Sequence, residues 1–297
     1  MRLRGRLLRG YGGFYYVLAE DRVWECSLRG RFRLQKQDFL PGDEVEIIVN
    51  QDGKGTVEAL LPRKSALKRP PTANVDLAVL VFSLVKPKPD ETLLNRLLVQ
   101  VEHAGLETVI AFTKADLLPP ALTDVPARYR QAGYEAICVS ALSGEGVVEL
   151  GTRLWERIAV LAGQSGVGKT SLLNALGGLK RKTGAVSLKQ GRGRHTTRHV
   201  EMLRVAGGLV ADTPGFSSYY LPEMKPAELA SYFPEITSRA GGCRFKSCVH
   251  DKEPDCAVKT AVAAGLISQA RYGFYLDFLH ELRGRRPRVR RGAEEGK

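Results

Sequence analysis

No apolar run in the 297 residues approaches the ~18 that a membrane-spanning helix requires. The opening Met1-Arg2-Leu3-Arg4-Gly5-Arg6 is basic but lacks the apolar core of a signal peptide. A cytoplasmic chain with no membrane partner is therefore expected. Cysteine is sparse, with five in all. Cys26 and Cys138 stand alone in strand-like segments and are expected to be buried spectators. The other three gather near the C-terminus with a histidine, which in a soluble intracellular chain favours a metal over disulfides. Acid is short of base: 32 Asp and Glu face 45 Lys and Arg, a formal net charge of +13. Such an excess calls for a polyanionic partner, nucleic acid first, without separating RNA from DNA or an anionic surface. Length and hydrophobic content otherwise suit two or three ordinary globular domains.

Against these absences one stretch stands out, Gly163-Gln164-Ser165-Gly166-Val167-Gly168-Lys169-Thr170-Ser171. It follows the apolar run 158–162, which reads as a buried strand, and precedes 172–176, which reads as the start of a helix. That context makes the phosphate-loop motif G-x-x-x-x-G-K-[ST] credible. The glycines let successive N–H groups point into one concavity, and the helix N-terminus adds partial positive charge. Lys169 is expected on the β- and γ-phosphates of a nucleoside triphosphate, and the Thr170 hydroxyl on Mg²⁺.

Residues 1 to about 62 read as all-β, with strands near 14–18, 23–28, 44–49 and 56–60. A small barrel of the oligonucleotide-binding type is expected. Arg2, Arg4, Arg6, Arg9, Arg29, Arg31 and Arg33 crowd this region. Tyr11, Phe14, Tyr15 and Phe32 admit two readings, as base-stacking faces or as core aromatics. A polar, Pro-bearing linker over 62–71 follows. Strands at 75–82, 108–112, 136–139, 158–162, 200–205 and 209–211 then alternate with helices such as 92–103, the pattern of a mainly parallel sheet.

Three strand ends carry further motifs. Asp212-Thr213-Pro214-Gly215 fits the second phosphate-sensing loop, with Asp212 reaching Mg²⁺ through water and the Gly215 N–H touching the γ-phosphate. Thr113-Lys114-Ala115-Asp116 matches the guanine-reading [NT]-K-x-D pattern. The Asp116 carboxylate accepts from guanine N1–H and the 2-amino group, whereas adenine would leave it unpaired. Lys114 would lay its stem along the base, and Ser140-Ala141 suits the loop whose N–H meets guanine O6. The nucleotide is expected to be GTP or GDP. The base-reading motifs precede the phosphate loop here. Because each ends a parallel strand, a circular permutation leaves the same crevice intact.

Cys243-x4-Cys248-x-His250-x5-Cys256 supplies three thiolates and an imidazole, the ligands of a closed, structural zinc site, one ion per chain. Helices are expected over 257–264 and 267–282. Six arginines among residues 283–291 favour RNA phosphate contact by a basic tail.

The permuted motif order, Gly191-Arg192-Gly193-Arg194-His195-Thr196-Thr197 and the C-terminal cysteines together resemble the RsgA family, ribosome-small-subunit-dependent GTPases. The resemblance spans the chain apart from one mild departure, Thr113, where Asn is more usual. It implies an oligonucleotide-binding-fold N-domain (1–65), a permuted GTPase domain (72–221), a zinc-bearing helical domain (222–284) and a basic tail (285–297). It further implies late maturation of the small ribosomal subunit, with GTP hydrolysis stimulated by that particle. The expected partners are the 30S subunit with its 16S rRNA, met by a monomer.

For hydrolysis, Thr197, or less readily Thr196, would close on Mg²⁺ and the γ-phosphate. Phe216 stands where many GTPases carry a water-orienting Gln, so the water must be held from elsewhere. His195 is the internal candidate, and contact with RNA phosphate is its other reading. Arg192 and Arg194 divide the same way, between a finger on the transferred charge and RNA contact. Two competing classes remain: a passive RNA-binding assembly factor with a barely hydrolytic guanine site, and an ATP-driven nucleic-acid enzyme, which Asp116 disfavours.

Overall fold

The computed structural model describes residues 1–34, 37–68, 70–117, 124–177, 200–212 and 220–284. They fall into two compact units, one formed by Met1–Arg130 with Tyr134–Tyr220, the other by Gln131–Gly133 with the chain from Leu221 on. Among the described residues no helix is long and apolar enough to cross a membrane.

The first unit opens with a closed five-stranded barrel, β1 (Arg2–Tyr11), β2 (Phe14–Ala19), β3 (Arg22–Leu28), β4 (Glu44–Val49) and β5 (Gly55–Leu60), with α1 (Gly30–Leu34) inserted before β4. Its order is β1-β2-β3-β5-β4, closed by β1 on β4. Leu3, Leu7, Val17, Cys26, Val45, Ile47 and Val57 fill the interior. Five short strands are expected from the composition of this region, and β1 is the one whose place the sequence pattern does not mark. Its inward positions Leu3, Gly5 and Leu7 alternate with arginines, and glycine at 5 interrupts the apolar signal. A Cβ there would lie 2.5 Å from Leu18 O, so close strand packing requires the glycine.

The stretch expected to be a plain linker instead holds a small antiparallel pair, β6 (Ala66–Lys68) and β7 (Pro71–Ala73). It is stapled to the barrel. Arg63 clasps the buried Asp43 carboxylate at 2.6 and 2.8 Å, and Asn74 Nδ2 donates to Gly42 O at 3.0 Å. Gly42 has φ +92°, and a Cβ there would meet Ala73 O at 2.1 Å.

A six-stranded sheet follows, ordered β10-β9-β8-β11-β13-β12. Its strands are β8 (Leu77–Ser83), β9 (Glu107–Thr113), β10 (Glu135–Val139), β11 (Ile158–Ala162), β12 (Glu201–Val205) and β13 (Gly208–Asp212). All neighbours run parallel except β12, which is antiparallel to β13. All seven positions of β8 and all five of β11 are buried, as strands covered on both faces must be. The connecting helices are α2 (Glu91–His103), α3 (Asp124–Gln131), α4 (Val147–Leu154) and α5 (Lys169–Gly177). Asp90 caps α2 by accepting from Leu93 N at 2.9 Å, and Leu93, Leu94, Leu97, Leu98 and Val101 form its buried stripe.

The second unit contains a 3₁₀ segment (Pro226–Tyr232) and three helices, α6 (Pro234–Ala240), α7 (Ala257–Ala263) and α8 (Gln269–Gly284). Its core includes Phe233, Ile236, Tyr275, Phe278 and Leu279. Among them lies a buried ion pair, Arg271 to Glu235 at 2.7 and 3.1 Å, with the guanidinium also 4.7 Å from the Phe233 ring.

Candidate functional site

Because β9, β8, β11 and β13 are successive parallel neighbours, their C-terminal ends share one edge of the sheet. Strand spacing of about 4.8 Å places the ends of β9 and β11 roughly 10 Å apart. At the end of β11 the chain turns through residues 163–168 into α5, whose first residue is Lys169. Gly163, at φ +147°, presses against β8, and a Cβ would lie 2.0 Å from Val81 O. Gly166 and Gly168 also take positive φ, +80° and +99°. Lys169 Nζ donates back to Gly163 O at 2.8 Å and Gln164 O at 2.6 Å. Burial lowers the Lys169 pKa from its ordinary value, because removal from water disfavours the charged ammonium. Thr170 and Ser171 complete the first turn of the helix.

The Thr113-Lys114-Ala115-Asp116 segment meets this loop directly. Thr113 ends β9, buried, and its hydroxyl lies 2.5 Å from Val167 O and 3.2 Å from Phe82 O. Lys114 follows at φ +63°, and its ammonium donates to Gly166 O at 3.2 Å and to Lys86 O. A 3₁₀ turn, Ala115–Leu117, then presents Asp116, exposed and without an ion-pair or hydrogen-bond partner among the described residues. At the end of β10 the Ser140 hydroxyl accepts from Leu142 N at 3.2 Å and Ser143 N at 3.1 Å. That closes a loop whose tip is the exposed Ala141. Two segments far apart in sequence are thus joined through carbonyls of residues 166 and 167. Thr113 reads from sequence as a weakened base contact, and its tie to the phosphate loop has no sequence signal, because it is made to a backbone carbonyl.

Asp212 ends β13, its backbone paired with Glu201. Gly215, Phe216, Arg192, Arg194, His195, Thr196, Thr197 and the tail 285–297 lie outside the described residues.

In the second unit the ligand atoms of Cys243, Cys248, His250 and Cys256 all lie within 4.8 Å of one another, a group able to hold a metal ion. His250 Nδ1 stands 3.5 Å from Cys243 Sγ and 3.4 Å from Cys256 Sγ, and those two sulfurs are 3.8 Å apart. Burial keeps the imidazole pKa low and hence the ring neutral, the form that binds metal. Burial works against ionisation of Cys243, but backbone N–H groups of Val258 and Ala257 lower its pKa. Cys248 is pushed up to about 12, chiefly by burial.

On the barrel, Tyr11 and Phe14 are 67% and 44% exposed, while Phe32 is buried with Phe39 and Tyr15 packs on the same core. The aromatics therefore divide between the two readings. Five of the arginines already face glutamates: Arg4 with Glu46, Arg6 with Glu44, Arg9 with Glu201, and Arg29 and Arg31 with Glu58. Glu44, Glu46 and Glu58 sit at alternating strand positions and are easily passed over when arginines are counted.

Residues 60–222 match the family model for the RsgA GTPase, and residues 4–57 match that for the RsgA N-terminal domain. The chain is 52% identical to the small ribosomal subunit biogenesis GTPase RsgA of Moorella thermoacetica, covering 94% of this chain and 97% of that one. Identity to the protein of the same description from Geobacillus thermodenitrificans is 47%, over 96% and 99% of the two chains. Among solved structures, that of YloQ, a circularly permuted GTPase, superposes with a TM-score of 0.80 at 37% identity, covering 97% of this chain and 98% of that one. YjeQ from Thermotoga maritima gives 0.81 at 35% identity, covering 96% and 100%.

Proposed function

The chain belongs to the RsgA family of GTPases, and from that premise we propose that it hydrolyses GTP during biogenesis of the small ribosomal subunit. The reading includes late action and stimulation by the subunit. The observation that carries it is the pair of contacts from Thr113 and Lys114 to the carbonyls of Val167 and Gly166. They hold residues 113–116 and 163–168 at one edge of the sheet, which supports reading them as the base-binding and phosphate-binding segments of a single GTP site.

In this reading Asp116 pairs with guanine N1–H and the 2-amino group, Lys114 lies along the base and the Ala141 N–H meets O6. The N–H groups of residues 163–168 and the α5 N-terminus cradle the phosphates, and Lys169 turns from its own loop carbonyls to the β- and γ-oxygens. Mg²⁺, when bound, neutralises charge developing on those oxygens; the Thr170 and Thr197 hydroxyls would ligate it, with Asp212 acting through water. Water attacks the γ-phosphorus, the bond to the bridging oxygen breaks, and GDP leaves with that oxygen. His195 is the proposed water-orienting group, and Gly215 the γ-phosphate contact.

For the cysteine cluster we propose zinc, in a structural role. Zn–S of about 2.3 Å and Zn–N of about 2.0 Å at tetrahedral angles imply S···S near 3.8 Å and S···N near 3.5 Å; Cys243, His250 and Cys256 stand at about those separations, and all four ligand atoms lie within 4.8 Å of one another. Three domains, 1–65, 72–221 and 222–284, are taken as the working units. The RNA partner is taken to be 16S rRNA, bound by a cytoplasmic monomer.

The test is turnover of GTP by the purified chain with and without 30S particles, with ATP as competitor. Subunit-stimulated turnover that ATP does not inhibit is expected. Turnover that 30S particles leave unchanged would reject the reading, as would adenine preference. His195→Ala with unchanged stimulated turnover and normal GTP binding would remove His195 from its role.

A further inference from the structure

The four metal-binding residues account for only part of the order around them. His250 sits at φ +58°, a left-handed conformation that a non-glycine residue adopts only at a cost of about 1 kcal/mol or more. The peptide groups on both sides of it are held from two directions. From α8, the Tyr272 hydroxyl donates to His250 O at 2.6 Å and the Tyr275 hydroxyl to Val249 O at 2.7 Å. From within the loop, the Glu253 carboxylate accepts from Val249 N at 3.2 Å and from Asp251 N at 2.9 Å. Asp251 in turn receives Arg283 at 2.6 Å, about three turns along the same helix from Tyr272. Both tyrosine rings are buried, so each hydroxyl spends its single proton on a loop carbonyl.

We propose that Tyr272, Tyr275 and Glu253 are positioning residues for the bound metal. They pre-form the loop 249–251, so that His250 Nδ1 already faces the thiolates of Cys243 and Cys256 before the ion arrives. The inference rests on the metal reading above. It adds that retention of the ion is governed by α8, not only by its four ligands. Ligand orientation of this kind is what outer hydrogen-bond partners supply at metal centres, and losing them typically weakens binding about 10–100-fold. Packing alone would not require it, because Phe in place of either Tyr keeps the ring and loses only the donor.

The full-length chain is loaded with Zn²⁺, and release to a chromogenic chelator is timed. Co²⁺-loaded samples report ligand geometry through their visible absorption. The double variant Tyr272→Phe/Tyr275→Phe is expected to release Zn²⁺ about tenfold faster, with a shifted Co²⁺ spectrum. Glu253→Gln is expected to show a smaller change in the same direction. Phe274→Leu, on α8 but without a loop hydrogen bond, should match wild type. Release from the double variant within twofold of wild type would overturn the proposal, as would equal acceleration by Phe274→Leu. A wild-type chain that takes up neither Zn²⁺ nor Co²⁺ would refute the metal reading itself, and this inference with it.

Discussion

The Thr113 hydroxyl lies 2.5 Å from the carbonyl oxygen of Val167, 54 residues later in the chain. A hydroxyl has one proton to give, and the Phe82 carbonyl at 3.2 Å takes the weaker share. Where Asn would offer two amide hydrogens, Thr offers one, yet it still couples the end of β9 to the loop 163–168. The loss of an amide at this position therefore spares the tie that matters for the shape of the crevice.

Thr113→Val keeps the volume and removes that donor. A neutral hydrogen bond contributes about 0.5–1.5 kcal/mol, so labelled GDP should bind about two- to tenfold more weakly. Titration by fluorescence measures it, and unchanged affinity would show that the tie does not position the loop.

Asp116→Asn replaces two acceptor oxygens by one acceptor and one donor. Guanine loses a charged partner, worth about 1.5–3 kcal/mol per hydrogen bond, so GTP affinity should fall at least about tenfold. Xanthine carries an oxygen in place of the 2-amino group and should gain relative to guanine. Competition between XTP and GTP reads the exchange directly.

Glu235→Ala should cost about 3–5 kcal/mol, because it removes the carboxylate facing a guanidinium that is 1% exposed. The double change Glu235→Leu/Arg271→Met should recover most of that loss. Urea unfolding followed by a probe in the second unit distinguishes the two, and equal destabilisation would show that shape and not charge is at stake.

Asp76 precedes β8, and burial raises its carboxyl pKa above the ordinary 3.8 despite the Arg157 charge nearby. A raised acid binds more protons in the folded state, so its charge costs stability above the folded pKa and costs nothing below the unfolded one. Water reaches its outer side, which limits the effect to under about 1 kcal/mol. Asp76→Asn should therefore raise the Tm slightly at pH 7, with the gain gone by about pH 3. A gain that persists in acid would assign it to something other than charge.

Stripping the metal with a chelator should leave the backbone of residues 249–251 protected, because the Tyr272 and Tyr275 hydroxyls and the Glu253 carboxylate hold it without the ion. Hydrogen exchange of these residues in the metal-free chain should stay slow, and should rise when Tyr272 and Tyr275 are both replaced by Phe. A rise on metal removal alone to the level of the double variant would show that the ion forms the loop.

Much of this architecture is legible in the chain. Strand β11 and helix α2 announce themselves through an unbroken apolar run and a 3.6-residue stripe, and the metal quartet through ligand type and spacing. Strand β1 is hidden because Gly5 and the arginines mask its alternation. The β6–β7 pair is hidden because what fixes it, Asn74 and Arg63 reaching back to the barrel, is tertiary. Likewise the hydroxyls of Tyr272 and Tyr275 act on backbone oxygens, which leave no mark on residue identity.

Strand β8 is flanked by β9, made directly after it, and by β11, which begins 75 positions after β8 ends, by the numbering of Ser83 and Ile158. During translation one whole margin of an almost wholly apolar strand has nothing beside it until residues 158–162 emerge. An unpaired hydrophobic margin invites sticking to other chains. The permuted strand order thus lengthens the interval in which the nascent chain carries an uncovered apolar edge.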